Sequence, residues 1–127
     1  MDKISVTHLS NAHNGWLRSL EFYKQELGIL QDQLTEVAKK NSAVHVMKEV
    51  EHYENQFKIQ IENIHRLKHD IKHNLTITGK EAKAAPAGYI DGVLVSAHDS
   101  LGQTCETEEK IINELRHSFQ KFAAEWM

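Results

Sequence analysis

Apolar side chains recur at alternating spacings of three and four residues through most of this chain, which is the pattern of helices packed lengthwise against one another. In the first third of the chain this pattern predicts a helix over residues 8–40. Its core positions are His13, Trp16, Leu20, Tyr23, Leu27, Leu30, Leu34 and Val37. All of these except the histidine are apolar or aromatic, so the segment has one continuous face to bury.

The second segment carries the most regular heptad pattern. Its core positions are Val46, Val50, Tyr53, Phe57, Ile64, Leu67 and Ile71. This phase does not continue from the first segment, whose next core position would be Asn41, because the second segment restarts at Ala43. We therefore predict a tight turn at residues 41–42 and a second helix over residues 43–78, which Gly79 would stop in a left-handed conformation.

The third segment has a less regular pattern. A single heptad phase connects Ile90, Leu94, Ala97, Leu101, Thr104, Glu108, Ile111, Leu115, Ser118 and Phe122. Gly102 favours a break, since glycine weakens a helix interior. Because the phase continues across this glycine, we predict one long helix over residues 87–126, after a loop at residues 79–88.

Three segments of similar length joined by short connections predict an all-α fold, an elongated antiparallel up-down-up three-helix bundle formed as a single domain. At 1.5 Å per residue, a helix of about 35 residues spans roughly 50 Å. So thin a rod exposes much of its surface. Dimerisation would cover this surface and complete a larger bundle.

Composition and charge exclude several classes of function. The net charge of −3 gives no broad attraction to nucleic acid or to an anionic membrane. No apolar run approaches the roughly 20 residues that span a bilayer, and the N-terminus lacks the apolar core of a signal peptide. Cys105 is the only cysteine, so no internal disulfide can form, and a buried thiol in the cytosol is expected. No phosphate-binding loop, nucleotide fingerprint or Gly-x-Ser-x-Gly motif occurs, so we do not predict an enzyme.

Histidines supply the alternative functional hypothesis, a transition-metal centre with histidine and carboxylate ligands. His65 and His69 are one helical turn apart, as chelating imidazoles are, but the heptad turns them towards solvent. His13 lies on the core face of the first helix, and His98 lies beside the core face of the third. Antiparallel packing brings all four towards the same end of the rod. The three Glu-x-x-His pairs, by contrast, fall on solvent-facing phases and predict no di-iron site.

A second set of apolar positions carries the main functional hypothesis. Phe22 and Ile29 lie seven residues apart on the outer side of the first helix, and Ile59 lies on the outer side of the second. A fold-back at residue 41 would place Phe22 and Ile59 at nearly the same depth. Large apolar side chains on outer faces indicate a protein interface. The expected function is therefore a non-enzymatic one, self-association or the binding of another protein, with metal binding and pH regulation through nine histidines as alternatives.

Three stretches carry a resemblance to other proteins: WLRSLEFYKQELGIL, KNSAVHVMKEVEHYENQFKIQIENIHRLKHDI and ELRHSFQKFAAEWM. In these stretches the chain resembles uncharacterised small all-helical bacterial proteins. The shared features are packing patterns, so the resemblance implies a helical bundle and no particular activity.

Overall fold

Three long helices make up almost all of the computed structural model, which describes residues 4–84, 89–90 and 92–127. The elements are β1 (Ile4–Ser5), α1 (Val6–Lys40), α2 (Val44–Ala84), β2 (Tyr89–Ile90) and α3 (Gly92–Trp126). The two short strands pair antiparallel, with Ile4 opposite Ile90 and Ser5 opposite Tyr89. They join the start of the chain to the segment that leads into α3, a contact that the sequence patterns do not predict.

Side-chain contacts fix the directions of the helices and confirm the all-α, antiparallel up-down-up three-helix bundle. The contacts are His13 with Asn74 and Glu21 with Lys68 between α1 and α2, Tyr23 with Asn113 and Glu26 with Arg116 between α1 and α3, and Tyr53 with Ser118 between α2 and α3. Partner numbers run in opposite directions for α1 with α2, and also for α2 with α3, where Gln60 with Glu108 is the second pair. They rise together for α1 with α3, so these two helices are parallel.

The turn between α1 and α2 occurs where the heptad phase breaks. The carbonyl of Ala43 accepts hydrogen bonds from the amides of Val46 and Met47, at 3.1 and 3.0 Å, so Ala43 is the residue on which the first turn of α2 closes. The side-chain amide of Asn41 donates to the carbonyls of Val37 and Trp126, at 2.8 and 2.9 Å. Asn41 therefore satisfies the end of α1 and joins it to the end of α3.

Predicted boundaries differ from the structure at the second connection. Gly79 does not stop α2, which continues to Ala84 through the run Lys-Glu-Ala-Lys-Ala, a composition of strong helix formers. The predicted start of the third helix, residue 87, lies outside the described residues, and the structure begins α3 at Gly92. That helix continues through Gly102 without a break, as predicted.

One core joins all three helices, and the predicted core positions of α1 and α2 contribute to it, except His13, which is buried but polar. The predicted face of α3 is wrong by about one residue. Its positions Ala97, Thr104, Ile111 and Ser118 are exposed, whereas the positions one residue later are buried: His98, Cys105, Ile112 and Phe119. The buried set is the larger and more apolar of the two, so burying it removes more apolar surface from water. This rotation of α3 also brings His98 into the core.

Candidate functional site

The end of the bundle near the short strands contains a group of buried polar side chains, which we call the polar centre: His13, Asn74, Thr78 and His98. His13 is fully buried on α1, where Nδ1 donates to the carbonyl of Leu9 at 2.6 Å. Its Nε2 lies 2.7 Å from Oδ1 of Asn74 on α2. Both ring nitrogens of His13 are therefore engaged by protein groups, and neither is available as a metal ligand.

His98 brings α3 into the polar centre. Its ring lies 5.2 Å from that of His13 and 4.7 Å from that of Trp16, measured between centroids. Burial lowers the pKa of His98, and the neighbouring His13 lowers it further, so the neutral ring is favoured. Among the described residues no side chain or backbone group hydrogen-bonds to its Nδ1, which is buried.

Thr78 lies one helical turn beyond Asn74 on the same side of α2, and it is almost completely buried. Its hydroxyl oxygen is the second buried polar atom without a hydrogen-bond partner in the described part of the chain. Buried polar atoms in native proteins are almost always satisfied, often by ordered water. The polar centre therefore has unfilled hydrogen-bonding capacity at two atoms.

The structure separates the four histidines of the metal hypothesis. It brings His13 and His98 together as expected, but His65 and His69 are exposed on α2 and do not join them. His69 instead stacks on His73, with ring centroids 6.4 Å apart. Within the described residues, no group of three or more histidine, cysteine, aspartate or glutamate side chains is arranged to hold a metal ion.

A second buried polar pair lies at the middle of the bundle, between α2 and α3. With its NH₂ group turned towards the carboxylate, Gln60 donates to Oε2 of Glu108 at 3.0 Å. Both side chains are buried. Burial raises the pKa of Glu108 above its usual value, and a hydrogen bond from Asn63 partly opposes this. Cys105, one turn earlier on α3, is buried as predicted, and burial raises its pKa to about 11, so its thiol is unreactive.

The three predicted interface residues are all exposed. Phe22 and Ile29 expose 54% and 53% of their surface, and Ile59 exposes 45%. The prediction that Phe22 and Ile59 lie at nearly the same depth along the bundle is wrong. Continuing the register of Glu21 with Lys68 by eight residues places Ile29, not Phe22, level with Ile59. Phe22 is about 12 Å further along the bundle axis.

These residues also face different sides of the bundle. Phe22 lies one turn before Glu26, which pairs with α3, so it flanks α3 from the α1 side. Ile59 lies one turn before Asn63, which lines a groove of about 250 Å³ between α2 and α3. The exposed Ile111 lines the same groove. These four exposed residues therefore belong to two separate surfaces, an α1 patch (Phe22 and Ile29) and an α2–α3 patch (Ile59 and Ile111).

Sequence patterns could have revealed more of the buried polar groups than we predicted. Gln60, Asn74 and Thr78 continue the spacing of the buried positions on α2. A polar residue at such a position needs a partner on another helix. Glu108 is the partner of Gln60, and His13 is the partner of Asn74. The sequence therefore shows which positions carry a buried polar residue, but the partner of each one depends on the register and rotation of the helices.

No protein-family model, curated protein or solved structure matches the chain. The resemblance to small all-helical bacterial proteins therefore stays a prediction. In the part of the chain that the structure describes, no helix contains a stretch long and apolar enough to cross a bilayer.

Proposed function

We propose that this protein is a non-enzymatic helical bundle that acts through self-association, with the α1 patch as the contact surface. The observation that carries the proposal is the exposure of Phe22 and Ile29, each more than half exposed and on the same side of one helix. Two turns of helix separate them, so one partner helix lying along α1 can cover both. A cytosolic location, expected from the sequence, belongs to the same proposal.

The apolar area sets the scale of the expected affinity. Covering one half-exposed large apolar side chain contributes about 1 kcal/mol, so four such side chains in a symmetric pair contribute about 4 kcal/mol. Association costs at least as much in lost translational and rotational freedom, so polar contacts must supply the remainder. Because the apolar contribution does no more than offset this cost, we expect a weak dimer that forms only at high protein concentration.

Sedimentation velocity across a wide concentration range tests this proposal. The wild-type chain should shift towards twice its 14.6 kDa mass as concentration rises, and the double variant Phe22→Ser/Ile29→Ser should stay monomeric. Ile59→Ser is the matched control, because it removes a similarly exposed isoleucine from the other patch. A wild-type chain that is monomeric throughout refutes the proposal. A dimer that survives the double variant and is lost in the control would move the contact to the α2–α3 patch.

Metal binding is the second candidate, and the unpaired Nδ1 of His98 is the observation that favours it. Elemental analysis of untagged protein tests it directly. Stoichiometric iron, zinc or manganese that disappears in His98→Ala, and persists in a variant of the exposed His69, would establish the centre. Metal-free protein would remove this candidate.

A further inference from the structure

The exposed side of α1 carries a heptad pattern of its own, separate from the one that faces the core. We call this surface the outer stripe, and its members alternate by three and four residues: Gly15, Arg18, Phe22, Gln25, Ile29, Asp32 and Glu36. Such a spacing keeps the same side of a helix in contact with a second helix over several turns. In the described part of the chain, α2 and α3 pack on the core face of α1 and leave the outer stripe exposed, so we look for the helix that would use this stripe in another molecule.

Charge along the outer stripe is arranged asymmetrically about its centre. Arg18 lies on the N-terminal side of Phe22, and Asp32 lies on the C-terminal side of Ile29. Both charged side chains are exposed, and neither makes an ion pair or side-chain hydrogen bond with any residue that the structure describes. The two charges are therefore available to a partner surface.

This arrangement is complementary to itself in one orientation only. In an antiparallel pair of α1 helices centred at Gln25, Arg18 of each copy lies opposite Asp32 of the other, and Phe22 lies within one residue of the level of Ile29. In a parallel pair, Arg18 would face Arg18 and Asp32 would face Asp32, and such like-charge contacts oppose association. A contact between identical surfaces with two-fold symmetry is the commonest form of homodimer.

Gly15 fits the same orientation. A Cβ added there would meet nothing within 4 Å, so no contact inside the chain requires glycine at this position. A glycine in a helix interior nevertheless costs roughly 1 kcal/mol relative to alanine. In the antiparallel pair Gly15 lies opposite Glu36 of the second copy, where a missing side chain lets the two helices approach closely.

We propose that the partner of the outer stripe is a second copy of this chain, packed α1 against α1 in antiparallel orientation about a two-fold axis near Gln25. This rests on the proposed self-association and adds its partner surface, its orientation and its register. Phe22 and Ile29 supply the apolar contact, and the Arg18 and Asp32 pairs, which occur twice, select the antiparallel orientation.

Cysteine cross-linking distinguishes the orientations. Arg18→Cys and Asp32→Cys are prepared separately, mixed above the dimer Kd and treated with a short bismaleimide, which tolerates a longer separation than a disulfide does. Cys105 does not compete, because it is buried and has a raised pKa. The antiparallel pair predicts a cross-linked product from the mixture that contains one copy of each variant, and little product from either variant alone.

Each other outcome has a defined meaning. Efficient cross-linking of Arg18→Cys to itself would indicate a parallel pair and overturn the inference. No cross-link, from protein whose wild-type form sediments as a dimer, would place the contact elsewhere and overturn the inference while self-association stands. A wild-type chain that stays monomeric would refute both.

Charge reversal provides an independent measurement on the same contact. Arg18→Asp and Asp32→Arg should each raise the dimer Kd about tenfold, because each change places two like-charge pairs in one dimer. The double variant Arg18→Asp/Asp32→Arg restores opposite charges and should return the Kd to within about threefold of wild type. Lys110→Asp, an exposed change of equal charge on α3, should leave the Kd unchanged. Failure of the double variant to recover would contradict the pairing.

Discussion

Replacing Gly102 by alanine tests how closely α3 packs on Trp16, which lies beside the polar centre. A Cβ at this position would lie 2.9 Å from Cζ2 of Trp16, well inside the ordinary carbon–carbon contact distance. The indole is held on two other sides, with His98 at 4.7 Å and His13 at 5.3 Å between ring centroids. Since Trp16 cannot move away without disturbing these contacts, we expect Gly102→Ala to strain the packing of α3 on α1.

Two opposing effects set the magnitude. Alanine in place of glycine in an open helix position stabilises by roughly 1 kcal/mol, and overpacking a core contact costs roughly 1–3 kcal/mol. We expect a net loss of about 1 kcal/mol for Gly102→Ala. Gly79→Ala is the matched control, because Gly79 lies within α2 and an added Cβ there meets nothing within 4 Å. It should gain up to about 1 kcal/mol.

Urea unfolding measured by circular dichroism gives the free energy of unfolding of both variants, and indole fluorescence reports the surroundings of the tryptophans. Thermal unfolding of the two variants should give melting temperatures that differ by about 8 °C, because their free energies of unfolding differ by about 2 kcal/mol in a chain of this size. If Gly102→Ala were stabilised as much as Gly79→Ala, Trp16 would not lie against α3, and the described geometry of the polar centre would be wrong.

Two further predictions concern the buried titratable groups. Burial, and then the neighbouring His13, lower the pKa of His98 in the folded state, so the unfolded chain takes up a proton at this residue at a higher pH than the folded chain does. The neutral His98 therefore contributes stability above a pH of about 6.5, and this contribution is lost as the pH falls from there towards the folded-state pKa. Urea titrations at several pH values should show this loss, smaller in His98→Gln and unchanged in a variant of the exposed His69. Burial raises the folded-state pKa of Glu108, so its contribution to stability is present below about pH 4.5 and is lost as the pH rises through the folded-state value. Glu108→Gln should therefore stabilise the protein by about 1 kcal/mol at pH 7 and not at pH 4. Glu106→Gln, a change at an exposed position, is the control. Equal effects of Glu108→Gln at both pH values would contradict the burial of an ionisable carboxyl group.

The sequence predicts the buried faces of α1 and α2 well because in each helix only one face is apolar along most of its length. Along α3 two series share Leu101, Glu108, Leu115 and Phe122, and they differ in which neighbouring positions join them. Both contain apolar residues, so only packing against α1 and α2 decides between them. The end of α2 was missed for another reason: a glycine costs too little to stop a helix that alanine and lysine continue.

The polar centre was predicted only in part. His13 was recognised because a histidine interrupts an apolar series, and up-down-up packing brings it near His98. Asn74 and Thr78 were not recognised, since their importance depends on which side chains they meet. The α1 patch was recognised from its spacing alone, but the level of Ile59 relative to it depends on the helix register. Spacing along one helix can thus be derived from sequence, whereas contacts between helices require the structure.

Self-association through α1 is the central claim, and sedimentation velocity of the untagged wild-type chain tests it most directly. Measured from about 10 µM to about 1 mM, the weight-average mass should rise from 14.6 kDa towards twice that value. Phe22→Ser/Ile29→Ser should remove the rise, and Ile59→Ser should preserve it. A mass that stays at 14.6 kDa across the whole range would contradict the claim.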